Sequence, residues 1–256
     1  MNPSPAKSPA DIAAARVAPG EAQTFVLLHG AFHGGWCWPR VAGPLRAAGH
    51  AVFTPTLTGL GERSHLISTT LTLDVMVNDL VNVFEFEDLR NVVLVAHSFG
   101  GAVATGAASR LHSRIRHLVL LDSLLVLQSG QCPFDALPPA AAAERRRQAQ
   151  ATSGGLSIPV PAPAAFGVTD PLDAAWLTAR CTPHPLSTYE SPLHFDGELA
   201  AGLPTTYVAV TPYYGSTAAA RDYARSRADW SYVEIEAGHD AMVTSPQRVL
   251  DLLAEL

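Results

Sequence analysis

Asn91-Val-Val-Leu-Val-Ala-His-Ser-Phe-Gly-Gly101 is the stretch of the sequence that decides the fold. Residues 91–96 predict a buried parallel strand, and the run Gly100–His112, which is crowded with Gly and Ala, predicts a helix packed close to a sheet. Ser98 stands at the corner between them, with small residues two positions away on both sides. This is the nucleophile-elbow pattern, with alanine in place of its first glycine. A lone Ser-x-Gly is a common accident, but its place between a strand and a helix predicts Ser98 as a nucleophile.

Strands and helices alternate along most of the chain on both sides of this stretch. The predicted strands are Thr24–His29, His50–Thr54, Asn91–Ala96, Arg116–Leu121, Thr205–Thr211 and Ser231–Glu236. The predicted helices are Trp38–Ala48, Thr72–Asp88, Gly100–His112, Ala218–Arg227 and a last one that begins after Ser245. Such alternation predicts an α/β fold, with a mostly parallel, doubly wound sheet covered by helices on both faces.

The alternation stops between residues 123 and 204, where the sequence is rich in Pro and Ala and shows no clear strand. This segment is too long for an ordinary loop in a compact domain, so we expect a partly helical cap inserted into the sheet. Residues 23–122 and 205–256 then form the core. Residues 1–22 are rich in Pro, Ala and Ser and lack the pattern of a secretory signal, which predicts a flexible N-terminal tail.

The composition excludes several classes of function. Of the 256 residues, 48% are hydrophobic and 16% are charged, far from the composition of disordered chains. Lys and Arg number 17 against 23 Asp and Glu, so the net charge of −6 offers no basic field for nucleic acid. The apolar runs are far shorter than the roughly 20 residues that span a bilayer. We therefore expect a cytoplasmic protein with neither nucleic acid nor membrane as a partner, and the sequence leaves a homodimer open.

Two further motifs each follow a predicted strand. In a parallel sheet these strands end at the same edge as the strand before Ser98, so the motifs are expected to lie near the serine. The loop His29-Gly-Ala-Phe-His-Gly-Gly35 follows the first strand, and its glycines allow backbone N–H groups to fold back towards the serine. We assign the N–H groups of Ala31 and Phe99 to an oxyanion hole. His239 follows the last strand, and a serine first with a histidine last is the chain order of the elbow pattern. His239 is therefore the predicted general base.

The sequence predicts no metal site and no cofactor. His29 and His33 lack a third ligand for zinc, so we expect both to be hydrogen-bonded structurally. Three cysteines without a C-x-x-C pair indicate neither a zinc ribbon nor a disulfide framework.

These motifs, their order and the position of the cap resemble the α/β-hydrolase superfamily. The stretches His29–Trp38 and Ala96–Gly101 resemble the branch that holds plant methylesterases, hydroxynitrile lyases and related small bacterial esterases. The resemblance covers residues 24–256. It implies an α/β-hydrolase fold and catalysis by a serine, a histidine and an acid, and it is specific for the fold and the nucleophile but only weakly so for the substrate.

The acid is missing from its usual place. In that branch it follows the strand that corresponds to Thr205–Thr211, but here the turn Thr211-Pro-Tyr-Tyr-Gly-Ser216 has no carboxylate. An imidazole base needs an acceptor that fixes its tautomer, so we expect the role to have been relocated. Asp122 is the leading candidate, because it ends the strand after the nucleophile helix and some α/β-hydrolases place the acid there.

Other roles for these acids stay open. Asp122 could instead cap the start of the inserted segment through its backbone neighbours. Asp240 adjoins the histidine and would more naturally point away from it, while Glu236 belongs to the last strand. Asp222 falls inside the next predicted helix, where it would point the wrong way.

The cap should supply a substrate pocket above Ser98. We expect apolar and aromatic side chains there, with Phe32, Phe166 and Trp176 as substrate-binding residues. The basic run Glu144–Arg147 suits a solvated helix face better than a site for an acidic substrate. The sequence therefore predicts a serine carboxylesterase that cleaves a hydrophobic or aromatic small-molecule ester through an acyl-enzyme.

Two other functions stay open. The resemblance also implies lyase chemistry, in which the same serine and histidine deprotonate a cyanohydrin. Such sites generally use a cation from the cap to hold cyanide, and the only lysine, Lys7, lies in the predicted tail. The third interpretation is a ligand-binding receptor with little turnover, and the missing acid is its main support.

Overall fold

A six-stranded parallel sheet forms the centre of the computed structural model, which describes residues 22–256. The predicted tail lies outside these residues except for Ala22. The strands are β1 (Thr24–Leu28), β2 (Ala51–Phe53), β3 (Val92–His97), β4 (Ile115–Leu121), β5 (Ser157–Ile158), β6 (His184–Pro185), β7 (Thr205–Thr211) and β8 (Trp230–Glu236). The sheet order is β2-β1-β3-β4-β7-β8, with every neighbouring pair parallel.

Helices cover this sheet, which confirms the predicted α/β-hydrolase fold class. The α-helices of the described chain are α1 (Pro39–Ala47), α2 (Leu73–Phe86), α3 (Gly100–Leu111), α4 (Pro139–Ser153), α5 (Pro171–Thr178), α6 (Leu186–Glu190), α7 (Ala218–Ser226), α8 (Ala241–Thr244) and α9 (Pro246–Ala254). Short 3-10 helices lie at Gly35–Cys37, Gly61–Leu66, His112–Arg114, Pro133–Ala136, Pro163–Phe166, Leu199–Gly202 and Gly215–Thr217. Within residues 22–256, no helix has the length and apolar character needed to cross a membrane.

The strand order brings the predicted site residues to one edge of the sheet. The chain leaves β1 for β2 on one side and returns to β3 on the other, so β1 and β3 are neighbours whose outgoing connections diverge. Ligands of open α/β sheets bind in the crevice at such a switch point, beyond the carboxyl ends of the strands. All six residues of β3 are buried, as their apolar sequence predicts.

The segment between β4 and β7 lies over that edge. It holds α4, α5, α6 and one antiparallel pair, in which Ile158 of β5 faces His184 of β6. Strands of two residues are too short to show the alternation of apolar and polar residues that predicts a strand, so the sequence gives no sign of them. The Thr182 N–H donates to the Phe32 carbonyl at 2.9 Å, so the inserted segment is tied to the loop after β1. Its limits as a domain, residues 123–204, stay a prediction.

Candidate active site

The chain turns sharply at Ser98, between β3 and α3. Ser98 has a left-handed φ of 52°, a conformation that costs a non-glycine residue roughly 1–3 kcal/mol and persists only where its surroundings impose it. The neighbours of the turn leave no space for side chains. A Cβ on Gly100 would lie 2.6 Å from the His29 carbonyl oxygen, and one on Gly30 would lie 2.7 Å from the serine Cβ. The small residues around the serine are therefore required by close backbone approach.

His239 lies between Ser98 and Asp122 and is hydrogen-bonded to both. Its Nε2 is 2.9 Å from the Ser98 Oγ, and its Nδ1 is 2.6 Å from the Asp122 Oδ2. His239 and Asp122 are buried, whereas Ser98 is partly exposed. With Nδ1–H donating to the carboxylate, Nε2 is free to accept the serine proton, which is the tautomer that a general base requires. The structure thus brings together the three residues that the sequence analysis selected.

The turn after β7 contributes a hydroxyl group where a carboxylate is missing. The Thr217 Oγ1 donates to the Asp122 Oδ1 at 2.9 Å, so both carboxylate oxygens of Asp122 accept a hydrogen bond. The Tyr214 ring stacks on the His239 imidazole, with centroids 3.8 Å apart. Sequence reasoning missed both residues, although a threonine directly after the acid-free turn was a signal available in the sequence. The turn therefore supports the relocated acid and packs against the imidazole.

The other acids considered for this role have different partners. Asp240 accepts a hydrogen bond from His33 and not from the neighbouring His239. Glu236 pairs with Arg248 at the surface, and Asp222 is exposed on α7. Asp122 is the carboxylate that meets the histidine, so the receptor interpretation loses the missing acid as its support.

The predicted oxyanion-hole donors lie beside Ser98. Within residues 22–256, neither the Ala31 N–H nor the Phe99 N–H donates a hydrogen bond to another residue. Buried backbone N–H groups are nearly always paired in folded proteins. Ala31 is 6% exposed and Phe99 is fully buried, so two free donors next to a nucleophile suit an oxyanion.

A second histidine–aspartate pair, His33 and Asp240, supports the loop after β1 that carries Ala31. His33 is hydrogen-bonded through Nδ1 to the Ala31 carbonyl at 2.7 Å and through Nε2 to the Asp240 Oδ2 at 3.0 Å. Because both nitrogens face oxygen acceptors, the imidazole is the charged, doubly protonated form. Burial opposes this charge, but attraction to Asp240 outweighs it and raises the pKa of His33 well above its ordinary value. Although burial works in the opposite direction, His33 likewise lowers the pKa of Asp240.

Two further buried histidines are neutral and structural. His29 donates through Nδ1 to the Gly30 carbonyl at 2.7 Å and accepts the Leu57 N–H at Nε2. His97 donates through Nε2 to the His239 carbonyl at 2.9 Å. The pKa of His29 and the pKa of His97 are both lowered to about 3, mainly because burial disfavours the charged form.

His97, His239 and Asp240 form the one group of possible metal ligands that the described residues bring together. Their ligand atoms all lie within 4.8 Å of one another. However, both nitrogens of His239 are already hydrogen-bonded, to Ser98 and Asp122. A metal ion would have to displace one of these partners, so we assign none to the site.

Aromatic side chains line the cavity over Ser98. Phe32 and Phe166 lie in its wall, together with Tyr189 and Tyr214. Phe32 and Phe166 are 6.0 Å apart between ring centroids, so they form one apolar side of the cavity. Substrate binding by Phe32 and Phe166 stays a prediction.

Trp176, the third predicted substrate-binding residue, does not lie in the wall of that cavity. Its ring packs edge-on against Trp36, with centroids 5.1 Å apart. The guanidinium groups of Arg40 and Arg180 lie 5.8 and 5.3 Å from its centroid. The Trp176 ring therefore packs against another indole and two guanidinium groups, and substrate binding by Trp176 stays a prediction.

Arg145 of α4 lines the cavity instead. A solvated helix face is expected for the run Glu144–Arg147, but Arg145 is only partly exposed and faces the cavity. The cap therefore does bring a cation to the site, although it is not a lysine.

The sequence is similar to those of known proteins over most of its length. The model of the alpha/beta hydrolase family matches residues 25–252. The chain is 39% identical to a carbendazim hydrolyzing esterase of Nocardioides sp. (strain SG-4G), over 91% of this chain and 98% of that protein. It is 34% identical to putative methylesterase 14, chloroplastic, of Arabidopsis thaliana, over 43% of this chain and 32% of that protein.

Solved structures share the fold over nearly the whole chain. An extracellular alpha/beta-hydrolase from a Paenibacillus species superposes with a TM-score of 0.77 at 22% identity, covering 91% of this chain and 98% of that one. Tomato methylketone synthase I complexed with 2-tridecanone superposes with a TM-score of 0.74 at 20% identity, covering 91% and 97%. At these identities the likeness concerns the fold alone.

Proposed function

Because this chain belongs to the alpha/beta hydrolase family, we propose that it is a serine carboxylesterase acting on small esters with hydrophobic or aromatic groups. Its similarity to a named esterase along almost its full length supports a carboxylesterase-type hydrolase. The observation that carries the proposal is the chain of hydrogen bonds from Ser98 through His239 to Asp122. The aromatic wall formed by Phe32 and Phe166 favours apolar substrate groups.

The first half of the reaction forms an acyl-enzyme. The Ser98 Oγ attacks the ester carbonyl carbon while the His239 Nε2 takes the hydroxyl proton. The carbonyl oxygen gains negative charge, and the N–H groups of Ala31 and Phe99 donate hydrogen bonds to it. When the tetrahedral intermediate collapses, the ester C–O bond breaks and His239 returns its proton to the leaving alcohol. Ser98 then carries the acyl group as an ester.

The second half releases the acid. A water molecule gives its proton to the His239 Nε2 and attacks the acyl carbon, and the Ser98 Oγ leaves with that proton. Asp122 keeps its negative charge throughout and stabilises the imidazolium form of His239. The Thr217 hydroxyl holds the second oxygen of this carboxylate, which fixes its orientation.

The decisive experiment compares Ser98→Ala with Ser226→Ala, an exposed serine at the end of α7. We expect the first variant to lose hydrolysis of 4-nitrophenyl butyrate and the second to keep it. Carbendazim is a second test substrate, because a similar protein is named for hydrolysing it. Mass spectrometry of the intact protein with a slow ester should show one acyl group, absent from Ser98→Ala. Undiminished hydrolysis by Ser98→Ala would refute the proposal.

Lyase chemistry is the second candidate, and Arg145 is the observation that favours it. A lyase of this kind is expected to use a cation from the cap, and Arg145 of the inserted segment lines the cavity over Ser98. Cyanide release from mandelonitrile, compared with hydrolysis of an aromatic ester by the same preparation, separates the two activities.

The cytoplasmic location, the homodimer and the absence of nucleic-acid and membrane partners stay predictions.

A further inference from the structure

Arg145 differs from the two arginines that follow it in α4. Arg146 donates to Glu190 at 2.8 Å, and Arg147 donates to Glu144 at 2.6 Å. Within residues 22–256, Arg145 forms no salt bridge. Its charge is therefore the one in this basic run that no carboxylate of the described chain neutralises.

The guanidinium group of Arg145 is fixed in place but incompletely hydrogen-bonded. Its Nη2 donates to the Ser216 Oγ at 3.1 Å, and its Cζ lies 5.3 Å from the centroid of the Tyr189 ring. Its Nη1 is buried and has no hydrogen-bond partner among residues 22–256. A buried N–H group of a cation without an acceptor is costly, and native proteins rarely keep one without a reason. An acceptor brought by a ligand would satisfy it.

The charges around the cavity leave Arg145 available for such a ligand. Asp240 is paired with His33, and Asp122 accepts hydrogen bonds from His239 and Thr217. Arg145 lines the same cavity as Ser98, so a single ligand can contact both residues. A guanidinium group presents a planar pair of donors that matches a carboxylate.

We propose that Arg145 determines substrate specificity by binding a carboxylate, so that the preferred substrates are esters that also carry a free carboxylate group. This inference rests on the proposed esterase function and adds the chemical class of the substrate. The aromatic wall then receives the apolar part of the same molecule, while the second carboxylate meets Nη1.

The test uses two pairs of esters that differ only in charge. In the first pair, mono-4-nitrophenyl glutarate is compared with its methyl ester, which places the carboxylate on the acyl side. In the second, 4-acetoxybenzoate is compared with methyl 4-acetoxybenzoate, which places it on the leaving-group side. We expect a kcat/KM roughly 10- to 100-fold higher for the charged member of at least one pair, the size expected of a charge-assisted hydrogen bond. No preference in either pair would overturn the proposal.

Variants assign this preference to one residue. Arg145→Gln should abolish the preference for the charged ester, and Arg145→Lys, which keeps the charge but loses the planar pair of donors, should retain part of it. Arg147→Gln is the matched control, because that side chain is 70% exposed on the same helix, and it should keep the full preference. An unchanged preference in Arg145→Gln, or an equal loss in Arg147→Gln, would refute the assignment.

A binding measurement separates this proposal from the esterase function. Calorimetry on Ser98→Ala protein with the mono-anilide of glutaric acid, and with its methyl ester, measures carboxylate recognition without turnover. Tighter binding of the acid that is lost in Ser98→Ala/Arg145→Gln supports the site even if no ester is hydrolysed. Equal binding of the acid and the methyl ester would contradict the site even if ester hydrolysis is confirmed.

Discussion

Replacing Asp240 by alanine should destabilise the protein by about 3 kcal/mol, since removal of one partner from a buried ion pair typically costs 3–5 kcal/mol. His33 and Asp240 are 1% and 0% exposed, so solvent cannot replace the lost partner. The value is at the low end because His33 can release its proton and still donate from Nδ1 to the Ala31 carbonyl. The His33 Nε2 then keeps only the weak contact with the Cys181 Sγ at 3.9 Å. Loss of its strong partner costs about 1–3 kcal/mol, and the space left by the aspartate side chain adds to this cost. Asp240→Asn should cost only about 1 kcal/mol, since its amide N–H can donate to that Nε2.

The loss of unfolding free energy in Asp240→Ala should depend on pH. The folded-state pKa of His33 is raised above 6.5, so its stabilisation is fully present below pH 6.5 and disappears as the pH rises through the folded value. The folded-state pKa of Asp240 is lowered below 3.8, so its contribution is present above pH 3.8 and disappears as the pH falls through the folded value. The difference in unfolding free energy between the wild type and Asp240→Ala is therefore largest between these pH values and shrinks in alkaline solution.

Urea unfolding followed by circular dichroism at a series of pH values measures this difference. Asp251→Ala, which removes an exposed acid from α9, is the control and should change stability by no more than about 0.5 kcal/mol. A loss below about 1 kcal/mol for Asp240→Ala near pH 6, or a difference that keeps growing as the pH rises above 6.5, would contradict the charged pair.

Three further predictions concern the elbow and the acid. Asp122→Asn should lower kcat for a chromogenic ester by about 10³- to 10⁴-fold, whereas Asp222→Asn should not; the opposite pattern would place the acid on α7. Thr217→Val should lower kcat roughly 10-fold by removing one hydrogen bond to the Asp122 carboxylate, and Thr217→Ser should restore it; equal rates in both variants would remove this role. Gly100→Ala should destabilise the fold by about 1–3 kcal/mol or more, because its Cβ would lie 2.6 Å from a backbone oxygen. Gly43→Ala should not lower the thermal midpoint, because its Cβ would meet no atom of residues 22–256 within 4 Å beyond its chain neighbours and its own helix backbone.

Local patterns determined the central part of the fold and the position of the proposed nucleophile. The apolar run of β3, the serine and the small residues of α3 are adjacent in sequence, and their meaning depends on sterics within a few residues. The order of strands then placed His239 at the same edge as Ser98, because parallel strands share a direction. The position of Asp122 at the end of β4 followed from the same argument.

Contacts between distant segments decided the rest. Which oxygen meets the His239 Nδ1, and that Thr217 supports it, depends on how the turn after β7 packs against the end of β4. The pairing of His33 with Asp240 joins residues 207 positions apart and has no local pattern.

The positions of the Trp176 and Arg145 side chains in the inserted segment also could not be predicted from local sequence. In α4, two of three consecutive arginines pair with acids and one lines the cavity, and no strong apolar stripe in that helix distinguishes them beforehand. The direction in which each side chain points is set by how α4 and α5 dock on the sheet. Sequence alone therefore determined the elbow and the order of the proposed catalytic groups, because these follow from local sterics and strand direction. Only the tertiary structure decided which distant charges are paired and which one is left for a ligand.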